Sequence, residues 1–203
     1  MIITSTRFDE DKSLFIVQID DDEFFVSYEM YEELELKNEK ELSFNEFNRI
    51  LTESMFQKAK KIAERFINYK PRTEFEVYQR LKKDIDNENA IYKTIDYYKK
   101  LMLLDDKKYI QDYIEYSLNI KNNSKSYTKH KLINKGLKSN DIDIILEEYD
   151  DKVEYENIKI IFDKKYSDIN LDDMKNINKI YRYLSGKGFN YQFIKDIINE
   201  RKE

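Results

Sequence analysis

A chain of 203 residues with 40% hydrophobic side chains has room to bury one large core or a helical array. Three Gly, one Pro and 38% charged residues favour helices over a turn-rich β architecture, and the absence of Cys excludes disulfides and thiolate chemistry. The net charge of −5 is uneven: residues 1–54 hold 15 acidic and 5 basic side chains, whereas residues 55–203 hold 26 and 31, too small a basic excess for strong sequence-independent DNA binding.

The start lacks a basic segment leading into an apolar run, so no signal peptide is expected. No stretch approaches the ~18 apolar residues of a membrane span, and a cytoplasmic location follows as the expectation. The head then reads as β. Ser13 to Ile19 is apolar, β-branched and aromatic, Glu23-Phe24-Phe25-Val26 follows an Asp20-Asp21-Asp22 tip, and residues 2–6 can add a third strand. Aspartates suit a hard cation, but no longer ligand pattern accompanies this tip, so it is read as a solvated turn with no metal.

From residue 43 the pattern becomes helical. Ser43-Phe44-Asn45-Glu46 is a capping box opening a helix through Phe47, Ile50 and Leu51. From Met55 a stripe through Phe56, Ala59, Ile62, Ala63, Phe66 and Ile67 recurs at 3- and 4-residue steps, until Lys70-Pro71 breaks it. Thr73-Glu74-Phe75-Glu76 is a second capping box; helices through Ile91 and Tyr98, and through Tyr109, Tyr113 and Ile114, follow, the latter capped by Asp105 or Asp106.

Two corners then match. Leu132-Ile133-Asn134-Lys135-Gly136-Leu137 and Leu184-Ser185-Gly186-Lys187-Gly188-Phe189 each lead to an Ile ten residues past the Leu, at Ile142 and Ile194. Gly136 and Gly188 stand where a helix ends in a left-handed residue, Leu137 and Phe189 supply the apolar closure, and Ser139 and Asn190 are the expected N-caps of the following helices. Leu81 and Ile91 form a third, worn copy in which Ile85 takes the glycine's place. The copies start 51 and 52 residues apart, a period that signals tandem three-helix repeats. The expected fold is mainly α: three three-helix repeats in a curved array at 55–104, 105–150 and 151–203, behind an acidic β-hairpin or three-strand head with a short helix at 1–54.

Candidate binding residues come from charge. From Asn119 to Asn140 there is no acidic residue, while Lys121, Lys125, Lys129, Lys131, Lys135 and Lys138 are present, with Lys131, Lys135 and Lys138 expected on one helix face and Tyr127 one step back. This is read as a basic ridge for an acidic protein surface or for phosphate. Arg72 and Arg80, and Arg182 and Lys187, form smaller basic groups in the first and third repeats. The tyrosines are read mostly as core, with one or two expected as surface anchors. Catalysis is not expected: there is one histidine, His130, no triad spacing and no Gly-rich phosphate loop.

The chain resembles the RecX regulators of the bacterial recombinase RecA. The likeness is carried by Tyr69 to Val77, Leu103-Leu104-Asp105-Asp106, Tyr109, Tyr113, Ile114, Lys135-Gly136-Leu137 and Lys187-Gly188-Phe189-Asn190-Tyr191. The head is similar to the N-terminal extension of Gram-positive-type members, with Asp22 where they have a turn glycine; Asn122-Asn123-Ser124 fills a region where the family often has another. The resemblance implies a non-enzymatic modulator that lies in the groove of the RecA–single-stranded-DNA filament and restrains its ATPase, strand exchange and SOS coprotease activity. No cofactor, at most weak direct contact with DNA, and a monomer are expected. A helical protein acting directly on nucleic acid and a helical-repeat adaptor with another partner are the alternatives.

Overall fold

Alternation of apolar and polar residues in the head produces a three-stranded antiparallel meander, β1 (Ile3–Asp9), β2 (Leu14–Ile19) and β3 (Asp22–Val26), in the order β1-β2-β3. The computed structural model describes residues 1–202, in two compact units divided between Leu104 and Asp105. One sheet face buries Ile3, Val17, Ile19, Phe24 and Val26 against Leu34, Leu36, Leu42 and Ile50. At the hairpin tip the left-handed residue is Asp20 (φ 53°), not Asp22. Asp22 pairs with Ile19 as the first residue of β3, so the turn closes before it.

A short helix, α1 (Tyr28–Glu33), follows; it buries no residue, which is why no apolar period announces it. Helix α2 (Phe44–Tyr69) begins at the expected capping box, Ser43 Oγ accepting from Glu46 N and the Glu46 carboxylate accepting from Ser43 N. Lys40 and Ser43 hold the Glu46 carboxyl down at about 2. The expected boundary at 54/55 falls within this one helix of 26 residues, about 39 Å long at 1.5 Å per residue. Ile50 packs under the sheet, while Phe56, Ala59, Ala63 and Ile67 form a second core with α3 (Glu74–Leu81) and α4 (Glu88–Lys100). Between the two cores the buried Glu53 is ion-paired to Lys93 at 2.5 Å.

The second unit holds two helical triplets. The first is α5 (Asp106–Glu115), α6 (Lys125–Ile133) and α7 (Ser139–Leu146); the second is α8 (Lys152–Tyr166), α9 (Met174–Gly186) and α10 (Tyr191–Glu200). Each surrounds its own core. A π-helical turn, Tyr116–Ile120, continues α5, and Asn122 (φ 51°) then takes the left-handed conformation. Among the described residues no helix is long and apolar enough to cross a membrane.

The three corners share one register of buried and capping positions. Leu81, Leu132 and Leu184 are each 0% exposed, as are Ile91, Ile142 and Ile194 ten residues on. In the second and third copies Gly136 (φ 81°) and Gly188 (φ 80°) close Schellman turns: Gly136 N and Leu137 N donate to Ile133 O and Leu132 O, and Gly188 N and Phe189 N donate to Ser185 O and Leu184 O. In the first copy Ile85 N donates to Leu81 O and the Ile85 side chain is itself the buried plug, so no left-handed residue is needed. The cap residue is the sixth after the Leu in every copy: Asn87, Lys138 and Asn190. Ser139 is therefore not the N-cap of α7 but its first helical residue, its hydroxyl bonded to Asp143 at 3.2 Å, and α7 starts without a side-chain cap.

A polar seam joins the two triplets of the second unit. Ser124 Oγ accepts from Tyr127 N as the cap of α6 and donates to Lys187 O at 2.7 Å. Asn157 Nδ2 donates to the carbonyls of Leu118 and Asn123, and the buried Glu154 accepts from Lys125 N at 2.8 Å. Burial pushes the Glu154 carboxyl up, an effect that the Lys125 N–H and ammonium oppose. A Cβ on Gly188 would lie 2.8 Å from Ser124 Oγ and 3.3 Å from Tyr127 N, whereas one on Gly186 meets nothing within 4 Å.

Gly188→Ala is thus expected to cost roughly 2–4 kcal/mol in urea unfolding, from left-handed strain plus displacement of the Ser124 cap, while Gly186→Ala leaves stability unchanged or raises it by up to about 1 kcal/mol. Equal effects of the two changes would contradict the seam. Because the folded-state pKa of Glu154 lies above its ordinary value, its contribution is fully present below that value and is lost as pH rises through the folded one. Glu154→Gln keeps an acceptor for Lys125 N without the buried charge, so its stability relative to the parent should grow as pH is raised from 4 towards 7; a flat difference across that range contradicts the assignment.

Candidate functional site

Tyrosines one turn apart on α5 and lysines one turn apart leading out of α6 meet on one patch of the second unit. The Tyr109 and Tyr113 rings lie 6.2 Å apart at 11°, nearly parallel. The Lys131 ammonium sits 5.2 Å from the Tyr127 ring centroid, that of Lys135 5.3 Å from Tyr109, and that of Lys121 5.3 Å from Tyr116. Burial pushes the Tyr113 phenol up, with Tyr127 and Tyr109 adding to the effect and Lys135 opposing it. At neutral pH the patch offers neutral hydroxyls, ring faces and cations to an anionic or aromatic partner.

The remaining lysines of the ridge are placed differently. Lys125 is half-buried and spent on structure, its ammonium donating to Tyr149 O at 2.5 Å and Asp151 at 2.7 Å. Lys129 pairs with Asp143 at 2.6 Å and holds that carboxyl below the usual carboxylate range. Lys131, Lys135 and Lys138 do not share one helix face: α6 ends at Ile133, Lys135 lies in the turn before Gly136, and Lys138 sits exposed at the start of α7. In the third repeat Lys187 lies 5.6 Å from the Tyr183 ring, which Lys165 also covers at 3.5 Å, and Arg182 is exposed on α9. In the first unit Arg72 and Arg80 line one groove together with Arg65 and Tyr69.

Tyr109 and Tyr113, expected on a core stripe, do pack against the core of their triplet, but both are only half-buried, and the outer part of Tyr109 lies under Lys135. The signal available was their i, i+4 spacing beside an acid-free lysine segment. Arg65 and Tyr69 were missed because they flank core positions on the α2 stripe. Among the described residues no three His, Cys, Asp or Glu side chains converge to hold a metal ion.

Residues 152–198, the span of α8 to α10, match the family model "RecX, third three-helix domain". The chain is similar to Regulatory protein RecX of Clostridioides difficile (strain 630), 31% identical over 89% of this chain and 86% of that one. It is likewise 31% identical to Regulatory protein RecX of Finegoldia magna over 97% of this chain and 98% of the relative. A crystal structure of regulatory protein RecX shares its fold over 98% of both chains, with a TM-score of 0.75 at 21% identity. The crystal structure of RecX from Lactobacillus salivarius covers 73% of this chain and 97% of its own, with a TM-score of 0.62 at 29% identity.

The two kinds of lysine separate in a stability measurement. Lys125→Ala, which removes a carbonyl bond and an ion pair, is expected to lower the unfolding free energy by about 1 kcal/mol, whereas Lys131→Ala stays within about 0.5 kcal/mol of the parent. The reverse order in urea unfolding would show that Lys131, not Lys125, is structural.

Proposed function

Since the chain belongs to the RecX family of regulatory proteins, we propose that it binds the RecA–single-stranded-DNA filament and restrains its ATPase, strand exchange and coprotease activity, as a monomer in the cytoplasm without catalysis of its own. The observation that supports a partner-binding role is the Tyr109–Tyr113–Tyr127 platform with Lys131 and Lys135, a patch of rings and cations. Tyrosine supplies contact area at low entropic cost, and ammonium groups held over rings offer charge to an acidic surface while their stems stay packed. The family likeness supplies the partner and the direction of the effect.

Lys131 and Lys135 would then contribute to encounter with the filament. The test is ATP hydrolysis by RecA on single-stranded DNA, titrated with the parent and with the Lys131→Glu/Lys135→Glu variant after circular dichroism has established an unchanged fold. The parent should suppress hydrolysis at substoichiometric ratios, and the variant should need about tenfold more protein. No suppression together with tight, salt-sensitive DNA binding would replace this reading with direct action on nucleic acid. Neither effect would leave an adaptor for a different partner.

A further inference from the structure

A second basic stretch lies in the first unit. Residues 55–104 hold 12 basic and 7 acidic side chains, whereas residues 105–203 hold 19 of each. Within the first of these segments the cations converge on a groove of about 340 Å³, lined by Ile62, Arg65, Phe66 and Tyr69 of α2, Arg72 of the connection after Pro71, and Arg80 of α3. Three of the seven arginines of a lysine-dominated chain line this one groove.

Arg72 is fixed there. Its guanidinium carbon lies 3.7 Å from the Phe66 ring centroid, its side chain is 12% exposed, and its Nε donates to Phe66 O at 3.4 Å. The nearest carboxylate, on Glu76, stays 4.0 Å from Nη1, beyond hydrogen-bonding distance. A guanidinium has five N–H donors in a planar fork, so most of the capacity of Arg72 remains unspent while its position is already paid for by stacking. Arg80 is bonded to Asp84 at 2.5 Å, but both partners are exposed, at 36% and 43%, and such pairs exchange readily.

We propose that this groove binds an acidic peptide segment of a protein partner, with one carboxylate held by the Arg72 fork and Arg80 and the adjoining apolar or aromatic side chain laid against Ile62 and Tyr69. The face of Phe66 is already covered by Arg72, so one exposed ring, Tyr69, remains where a nucleic-acid strand would want successive stacking platforms. The wall at Ile62 is apolar, and Glu76 and Asp84 beside the arginines would repel a run of phosphates more than a single carboxylate. Fork-to-fork pairing of guanidinium with carboxylate supplies the geometric selectivity. This deepens the regulatory reading and rests on it to the extent that the partner is a protein.

The experiment uses the full chain and a fluorescein-labelled peptide of alternating Glu and Phe, followed by fluorescence anisotropy. Arg65→Ala/Arg80→Ala, two exposed-side changes that leave the core untouched, should weaken binding about tenfold or more, and Arg72→Lys, which keeps the charge but loses the fork, should do the same. Unchanged peptide affinity in both variants overturns the proposal, as does displacement of the peptide by an equimolar oligo(dT) strand. Co-sedimentation with RecA filaments on single-stranded DNA separates the two readings. If the parent fails to pellet, the regulatory reading falls while the peptide result still decides the groove. If the parent and the Arg65→Ala/Arg80→Ala variant pellet equally, the groove is not the contact.

Discussion

The Ser124 hydroxyl ties the second unit together. It ends the run of unsatisfied N–H groups at the start of α6, donates to the Lys187 carbonyl in the last corner, and occupies the space that any side chain at position 188 would need. A helix start buried against a neighbour must have its polar groups satisfied from that neighbour, and here one oxygen serves both sides. The orientation of α6 follows from this contact. Tyr127, whose N–H donates to this hydroxyl, carries the Lys131 ammonium over its ring, so the candidate binding patch is tied to the seam through its own backbone.

The seam is polar where the cores on either side are apolar. Ser117, Thr128 and Asn157 are buried and fully hydrogen-bonded, and the π-helical turn leaves the Leu118 carbonyl to Asn157 rather than to the helix. Apolar contact alone tolerates sliding between helical triplets; directional bonds from Asn157 and Ser124 admit one register. Glu154 is the cost of that specificity, a carboxylate buried to serve one backbone N–H.

Much of the architecture was legible in the sequence because it rests on residues with narrow conformational roles. Gly136 and Gly188 at matched offsets, the Ser43 and Thr73 capping boxes and Pro71 each announce a helix boundary without knowledge of the fold. What escaped reading had no local signature. Helix α1 has no fully buried residue, the left-handed residue at the hairpin is Asp20 and not Asp22, and Ser139 looked like a cap although the repeat places that position at Lys138. The candidate patch was legible only in part. A run of six lysines without acids showed where to look, but whether a lysine is free or paired depends on residues elsewhere in the chain, Asp143 for Lys129 and Asp151 for Lys125.

Residues 105–203 hold equal numbers of acidic and basic side chains, so what the Lys131–Lys135 patch offers an anion depends on its immediate surroundings rather than on the charge of the whole unit. At physiological salt, charges are screened within about 8 Å, and only the immediate neighbours of each ammonium set its strength. For Lys131 the neighbour is the face of Tyr127, whose quadrupole attracts the cation without neutralising it; for Lys129 it is a carboxylate that does neutralise it. The first unit reaches the same end with guanidinium chemistry, Arg72 stacked on Phe66 rather than spent on a close acid. Cations held by aromatic rings keep their charge available, and it is this pairing, more than the number of basic residues, that marks a surface built to receive an anion.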